Sequence, residues 1–240
     1  MKVWIGAAAH LANNALVWAQ LYIDGVCHGI HGFIVPIRSK QDHTLLSGVI
    51  IGDMGSKVGL HAIDNGFMIF KNVRVPYNNM LDKFSQIDSQ GKFNTTISNP
   101  DKRFAFALGA LTGGRIALTI SATDAAISAL CIATRFAHVR RQFGLPNQPE
   151  TAIIEYPLVQ HRLFPYFAQM IGIQMAAQDL QTLWNDKENQ EKLFDEKNPL
   201  LAEIHAVSSI LKPYSAWQSQ KAIQECRELC GGLGYSAYNQ

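Results

Sequence analysis

The 240-residue sequence has little excess charge of either sign: 21 Lys and Arg face 19 Asp and Glu, for a formal net charge of +2. A basic surface is therefore not indicated, and we expect no nucleic-acid partner. Among four cysteines only Cys226 and Cys230 are close in sequence, so neither a metal site nor a disulfide framework is predicted. No uninterrupted apolar run reaches the roughly 18 residues of a membrane helix, and no membrane span is predicted.

The first third of the chain has the pattern of short β-strands. Turn residues such as Asp24-Gly25 separate apolar runs, and no helical pattern alternates with them. An antiparallel barrel or sandwich within residues 1–76 is therefore predicted. The runs that are rich in strand-forming residues are 15–23, 31–38, 48–52 and 66–75.

The rest of the chain changes character twice. Residues 77–100 are polar and contain Pro, Gly and Asn, which predicts a linker or surface loop. Residues 101–240 predict a helical domain with helices over 101–142, 151–186 and 200–229. The predicted fold class is α+β, with an antiparallel β domain followed by an up-down helical bundle.

Two segments in the first half of the chain carry residues suited to a ligand. Trp4 precedes Gly6, and an aromatic beside a small residue suits a flat ligand, although a core Trp in an opening strand explains it as well. Gly113 and Gly114 lie inside a predicted helix, where glycine costs about 1 kcal/mol relative to Ala. They allow either a close helix crossing or a ligand gripped by Arg115.

Two further segments lie at predicted helix ends. Residues 140–144 (Arg-Arg-Gln-Phe-Gly) are ordinary basic partners of a helix dipole, or a charged hook that reaches an anion with Phe143 as a flat contact. Residues 230–235 (Cys-Gly-Gly-Leu-Gly-Tyr) are a helix C-cap, or a turn whose N–H groups approach a diphosphate.

Taken in order, these segments resemble the acyl-CoA oxidase family of the acyl-CoA dehydrogenase superfamily, over essentially the whole chain. The Glu-Cys-Arg sequence before Cys230 is typical of the oxidases, and the details resemble the branched-chain, pristanoyl-type enzymes most. The matching blocks are the Lys-x-Trp-Ile opening, 64–67 (Asp-Asn-Gly-Phe), 72–76 (Asn-Val-Arg-Val-Pro), 114–116 (Gly-Arg-Ile), 140–144 and 223–235.

The resemblance implies a β-barrel, a helical bundle, FAD and a homodimer. It implies oxidation of acyl-CoA to trans-2-enoyl-CoA with release of hydrogen peroxide, in peroxisomal fatty-acid β-oxidation. Trp4 and Gly6 match the strand along the flavin, and Gly6 leaves room for oxygen where dehydrogenases have Thr or Ser. Arg115 matches a region that meets CoA. The residues matched to FAD of the partner subunit or its diphosphate are Arg140, Gln142, Phe143, Gly231, Gly232 and Gly234.

The chain departs from the family pattern at the catalytic base. The oxidases place a Glu in a Phe/Tyr-Glu-Gly motif, expected beyond Gln240, and the alternative position of some relatives is Gly114 here. An N-terminal helical domain is expected to be absent too, so we expect this chain alone to be inactive. Tyr238-Asn239-Gln240 is not a peroxisomal address. Two alternatives stay open: a non-catalytic binding or assembly subunit derived from an oxidase, and an acyl-CoA dehydrogenase, against which Gly6 argues.

Overall fold

A computed structural model describes residues 1–109, 111–186, 189 and 198–237. The chain divides into two compact units, Met1–Ala107 and Leu108–Gln240. The first contains the described strands, and the second contains the long helices. The division falls inside the first helix, and the linker at 77–100 stays a prediction.

Antiparallel pairing organises the first unit. The strands in chain order are β1 (Lys2–Gly6), β2 (Asn14–Ile23), β3 (Val26–Pro36), β4 (Val49–Asp53), β5 (Asn65–Phe70), β6 (Ser85–Ile87) and β7 (Phe93–Thr95). One sheet has the strand order β1-β5-β4, a second consists of β2 and β3, and a third consists of β6 and β7.

A two-residue turn joins β2 to β3. Ile23 pairs with Val26, and φ is +49° at Asp24 and +78° at Gly25. Two left-handed central residues define a type I′ turn, whose twist matches that of the flanking strands. The turn predicted at Asp24-Gly25 is confirmed.

Side chains from β3, β4 and β5 meet in one core. Val35, Val49 and Met68 are buried there with Ile37 and Ala8. Among the described strands, hydrogen-bonded pairing ends within the three sheets and does not close a barrel. The antiparallel β prediction is confirmed, and the closed barrel stays a prediction.

Residues 77–100 hold more structure than the plain surface loop predicted from their polarity. β6 and β7 pair here, with Ser85 opposite Thr95. Met80 and Ile97 are buried. Most of the surrounding residues are polar, and the apolar ones do not recur at a regular spacing, so the sequence does not predict which of them are buried.

Four helices are described. One helix occupies the predicted range 200–229, whereas the single helix predicted over 101–142 is two helices. The break between them adjoins Gly109 and precedes Gly113, and glycine is unfavourable in helix interiors. The helices are α1 (Pro100–Gly109), α2 (Thr112–Val139), α3 (Pro157–Asn185) and α4 (Leu200–Leu229).

The second helix predicted from sequence begins later than expected, at Pro157 rather than at 151. Proline lacks an N–H and has a fixed φ, so it suits the first turn of a helix. The residues before it, Ile153–Glu155, form a 3-10 turn instead.

In the second unit, α3 runs antiparallel to both α2 and α4. Along α2, Gly113 lies beside Trp184 of α3, and Thr123 donates to Gln174, ten residues earlier in α3. Along α3, Arg162 bonds to Glu225 of α4, and Met170 contacts Ser219, six residues earlier in α4. α2 and α4 are therefore parallel, with their C-terminal ends on one side of the bundle. The core between the three helices consists of Ala126, Leu130, Ala133, Leu163, Met170, Ile173, Ala222 and Cys226.

Helix α2 is long and apolar enough to cross a membrane by length and composition alone. A core helix of a bundle has the same properties, and the buried face of α2 packs in the core of the second unit. Arg115, Asp124 and Arg135 also interrupt its apolar sequence. The expectation of no membrane span stays a prediction.

Candidate functional site

Trp4 projects from β1 with its backbone in the left-handed region. Its φ is +62°, and the pairing of β1 with β5 is irregular between Lys2 and Ile5. The residue is 58% exposed, so its indole is not a core side chain of the first unit. At Gly6 an added Cβ would meet no atom within 4 Å. An exposed aromatic plane near open backbone is suited to a flat ring.

The loop after β1 is held from two sides. The Asp64 carboxylate accepts hydrogen bonds from the backbone N–H groups of residues 9–11, each at 3.0 Å. Arg38 donates to three backbone carbonyl oxygens of the same loop, at 2.5–3.0 Å. Gly66 lets the loop lie against β5, because a Cβ there would be 2.7 Å from the Ala9 nitrogen.

Burial raises the pKa of Asp64, but the three backbone N–H groups outweigh it and hold this pKa below its ordinary value. The carboxylate is therefore a charged anchor for the loop. His10 and Asp53 lie nearby, with ligand atoms of all three side chains within 4.8 Å of one another. Asp64 is already engaged by the loop, and His10 and Asp53 are exposed. This cluster therefore does not change the expectation of no metal site.

The predicted hook leaves the C-terminal end of α2 and is pinned by a returning segment. The Ile153 N–H donates to the Arg140 carbonyl, and the Gln142 N–H donates to the Thr151 carbonyl, both at 2.9 Å. The Tyr156 hydroxyl donates to the Gln142 carbonyl at 2.7 Å. These bonds fix the backbone of the hook and leave the Arg140 and Gln142 side chains exposed.

Phe143 is presented outward from the hook. It is 70% exposed, and its φ is +58°. The Thr151 N–H donates to its carbonyl at 2.8 Å, which holds this unfavourable backbone in place. An apolar ring held exposed on a fixed backbone is suited to contact another molecule.

The predicted glycine turn, Gly231–Tyr235, is a short 3-10 helix directly after α4. Gly231 has φ of +58°, and added Cβ atoms at Gly231 and Gly232 would meet nothing within 4 Å. Gly234 is different: it is buried, and a Cβ there would be 2.0 Å from the Arg227 carbonyl oxygen. The first two glycines therefore offer open backbone, and the third allows the turn to fold onto α4.

The bundle brings the hook and the glycine turn to one end, because both follow the C-terminal ends of parallel helices. Arg115 lies in the first turn of α2, so about 37 Å of helix separates it from Arg140 at 1.5 Å per residue. Within one chain, the predicted CoA contact and the predicted FAD contacts of this unit therefore lie at opposite ends of α2.

The two glycines before Arg115 have different surroundings. A Cβ at Gly113 would be 3.0 Å from the Trp184 side chain, whereas a Cβ at Gly114 would meet nothing within 4 Å. Close packing against α3 therefore accounts for Gly113. Gly114 leaves open space beside Arg115, which is half-buried.

One ion network in the second unit was not predicted from the sequence. It joins Arg162 to Glu225 and Glu228. Arg162 of α3 donates through Nε to Glu225 at 2.5 Å and through Nη2 to Glu228 at 2.6 Å. Both carboxylates belong to the last turns of α4, directly before the glycine turn. Their spacing of three residues places them on one helix face, but the sequence alone does not show which residue of α3 faces them.

Comparison with known proteins gives a consistent result for both units. Residues 108–240 match the family model described as acyl-CoA oxidase, C-alpha1 domain. Acyl-coenzyme A oxidase 3 of Yarrowia lipolytica is 39% identical over 247 residues, covering 99% of this chain and 35% of that protein. Peroxisomal acyl-coenzyme A oxidase 3 of Homo sapiens is 37% identical over 244 residues, covering 100% of this chain and 35% of that protein.

Solved structures agree. The crystal structure of acyl-CoA oxidase 1 from Yarrowia lipolytica superposes with a TM-score of 0.86 at 37% identity, covering 99% of this chain and 36% of that one. Acyl-CoA oxidase-1 of Caenorhabditis elegans, complexed with FAD and ATP, gives 0.76 at 35% identity, covering 98% and 34%. The chain thus spans about a third of the length of these relatives.

Proposed function

Because the chain belongs to the acyl-CoA oxidase family, we propose that it supplies the flavin-side strand and the first long helices of an FAD-dependent acyl-CoA oxidase. The complete enzyme oxidises an acyl-CoA to the trans-2-enoyl-CoA, consumes molecular oxygen and releases hydrogen peroxide. Bound FAD supplies the hydride acceptor and the site of oxygen reduction. A relative whose structure is described as complexed with FAD supports this cofactor.

One observation carries the proposal: the residues that the resemblance matches to FAD contacts are exposed or have free space beside their backbone, apart from Gly234. Added Cβ atoms at Gly6, Gly231 and Gly232 would meet nothing within 4 Å. Trp4 and Phe143 are 58% and 70% exposed. Trp4 and Gly6 would lie along the flavin ring, and Gly231 and Gly232 beside the diphosphate. The residues present therefore fit the cofactor.

The proposal includes a homodimer, because the predicted CoA contact and the predicted FAD contacts of the second unit lie at opposite ends of the bundle. The hook (Arg140, Gln142 and Phe143) and the glycine turn would hold the FAD of the partner subunit, while Arg115 would hold the CoA of the chain's own active site. The separation of about 37 Å along α2 supports this division, since one compact site does not span it. Each site would then be completed by a second copy, with Gly234 keeping the turn in position.

The proton-transfer residue is not supplied by these 240 residues. They contain no Phe-Glu-Gly or Tyr-Glu-Gly sequence, and the residue before Arg115 is Gly114. A positioned base contributes about 10² to 10⁴ in rate. We therefore propose that these residues alone bind FAD and orient acyl-CoA but turn it over very slowly.

Oxygen rather than a carrier protein is the proposed electron acceptor. The open space at Gly6 supports this, because a side chain there would narrow the approach to the flavin ring. Relatives named as peroxisomal, such as acyl-coenzyme A oxidase 2 of Arabidopsis thaliana, support a peroxisomal location. A closed barrel in the first unit completes the proposal.

The test is to record the visible absorption of the purified chain with FAD and to assay peroxide after adding a long-chain acyl-CoA. A perturbed flavin band with little peroxide supports the proposal. Rapid peroxide release contradicts the claim that these residues lack the catalytic base. An unperturbed flavin band contradicts the claim that they bind FAD. A flavin that becomes reduced and stays reduced in air indicates the dehydrogenase alternative.

A further inference from the structure

The end of α4 is an unfavourable place for an anion. A helix C-terminus carries the negative end of the dipole, whereas phosphates are usually held at N-termini. Glu225 and Glu228 add two carboxylates to the last two turns. A diphosphate beside Gly231 and Gly232 would therefore meet negative charge unless cations compensate it.

Arg162 provides one of these cations from the neighbouring helix. Its two bonds, at 2.5 and 2.6 Å, engage both carboxylates at once. The glutamates in turn raise the pKa of Arg162, so it stays charged. Hydrogen bonds from Gln224 and then Arg162 hold the pKa of Glu228 below its ordinary value. The Glu228 carboxylate is therefore held in its charged form beside the Arg162 guanidinium.

A second cation, Arg227, lies on α4 itself and donates through Nε to Gln224 at 3.2 Å. The charges of Arg162 and Arg227 thus balance those of Glu225 and Glu228. Removing Arg162 alone leaves this end of the helix with a net charge of about −1, in addition to the dipole.

The network is close enough to influence the turn. At 1.5 Å per residue, Glu228 and Glu225 lie about 5 and 9 Å along the axis from Gly231, comparable with a Debye length of about 8 Å. The turn is also tied to this part of the helix, since Gly234 packs on the Arg227 carbonyl. A change of charge at residue 162 therefore changes the electrostatic potential at the glycine turn, where the diphosphate would bind.

We infer that Arg162 is a positioning residue of the FAD site, which compensates Glu225 and Glu228 so that the adjoining glycine turn accepts a diphosphate. The inference rests on the proposed function, because that proposal puts the diphosphate at the turn. Coulomb attraction over about 10 Å at the protein surface gives an expected loss of roughly tenfold in FAD affinity for Arg162→Gln.

The experiment titrates FAD into the 240-residue chain and follows flavin fluorescence at two salt concentrations. The variants are Arg162→Gln and the triple variant Arg162→Gln/Glu225→Gln/Glu228→Gln. The matched control is Lys212→Gln, which removes one positive charge from an exposed position about 24 Å before Glu228 on α4. Riboflavin, which has no diphosphate, is titrated in parallel.

Charge compensation predicts that Arg162→Gln weakens FAD binding about tenfold at low salt and less at high salt. Riboflavin binding and the Lys212→Gln control stay unchanged. The triple variant keeps only the positive charge of Arg227 at this helix end, so it binds FAD at least as tightly as the wild type. If Arg162 only ties the two helices together, the triple variant stays as weak as the single one, because it also lacks both ion pairs. That result, or unchanged FAD affinity in Arg162→Gln, overturns the inference and leaves the proposed function intact.

A wild-type chain that does not bind FAD contradicts the proposed function, and the inference is then decided by inorganic diphosphate. Its binding is followed at the amide resonances of Gly231 and Gly232. Shifts in the wild type that weaken in Arg162→Gln and return in the triple variant support the inference. No shifts at the turn, or shifts indifferent to Arg162, overturn it.

Discussion

Arg38 and Asp64 bind the same loop, Arg38 through its backbone carbonyl groups and Asp64 through its backbone N–H groups. Asp64 accepts the N–H of Ala9 at 3.0 Å, and Arg38 donates to the carbonyl of Ala9 at 2.5 Å. The two side chains come from different parts of the first unit and fix the loop that follows Trp4 and Gly6. The position of the proposed flavin strand therefore depends on two side chains that bind the backbone of the loop after it.

Replacing Asp64 by Asn removes the charged acceptor of three N–H groups. We expect a loss of about 1–2 kcal/mol in the free energy of unfolding, since Asp64 is only partly buried and solvent screens part of the effect. Urea denaturation measures this change. The control Asp82→Asn lies at an exposed position and should change stability by less than about 0.5 kcal/mol. Equal effects of the two variants would contradict the anchoring role.

The same carboxylate makes stability depend on pH. The pKa of Asp64 is lower in the folded chain than the value of about 3.9 in an unfolded chain. Its contribution is therefore complete above about pH 4 and is lost as pH falls through the lower folded pKa. The stability difference between wild type and Asp64→Asn should be constant from pH 7 to pH 5 and should shrink below pH 4. A difference that widens on acidification would contradict this sign.

Trp4→Gly should separate fold from cofactor binding. The substitution relieves a left-handed φ of +62° and sacrifices little burial, because the residue is 58% exposed. We expect unfolding free energy within about 1 kcal/mol of wild type and a clear loss of FAD affinity. Trp217→Ala, which removes a residue 64% exposed on α4, is the control with unchanged FAD affinity. Unchanged FAD binding in Trp4→Gly would remove Trp4 from the site.

The glycines of the turn should respond differently to alanine. At Gly234 a Cβ would be 2.0 Å from the Arg227 carbonyl oxygen. Gly234→Ala should therefore destabilise the chain by about 1–3 kcal/mol, as overpacking does. Gly232→Ala meets open space, so thermal unfolding should be nearly unchanged while FAD affinity falls. The reverse order of thermal stabilities would contradict the packing described for the turn.

Thiol reactivity tests the second unit. Burial raises the pKa of Cys226 to about 11 and also raises the pKa of Cys230. Cys27 and Cys131 are exposed. At pH 8 a disulfide reagent should label two thiols rapidly and the other two only after unfolding, because the thiolate is the reactive form. Rapid labelling of all four thiols would contradict the burial of Cys226 and Cys230 at the C-terminal end of α4.

Sequence reasoning succeeds where a local signal decides the structure. Asp24 and Gly25 tolerate left-handed backbone, so their turn is visible in the sequence, and α4 has the expected bounds because its apolar periodicity is strong. The break between α1 and α2 was not predicted, since composition favours one helix and the cost of the glycines is small by comparison. The burial of Met80 and Ile97 in a polar segment has no periodic signal.

The candidate site divides in the same way. Trp4, Gly231 and Phe143 are recognisable from motifs, and their openness is a property that only the structure supplies. The pairing of Arg162 with Glu225 depends on the register between α3 and α4, which are 63 residues apart at this contact. Likewise, Gly234 is indistinguishable from Gly232 in the motif, and only the proximity of the Arg227 carbonyl separates their roles.

The most direct test of the account is hydrogen exchange of the 240-residue chain, measured by mass spectrometry without ligand, with FAD, and with FAD plus an acyl-CoA. We predict that FAD slows exchange in β1, at residues 140–144 and at residues 231–235, and that acyl-CoA adds protection around Arg115. Protection by FAD confined to other segments, or no protection at the hook and the glycine turn, would contradict the assignment of this chain's FAD site.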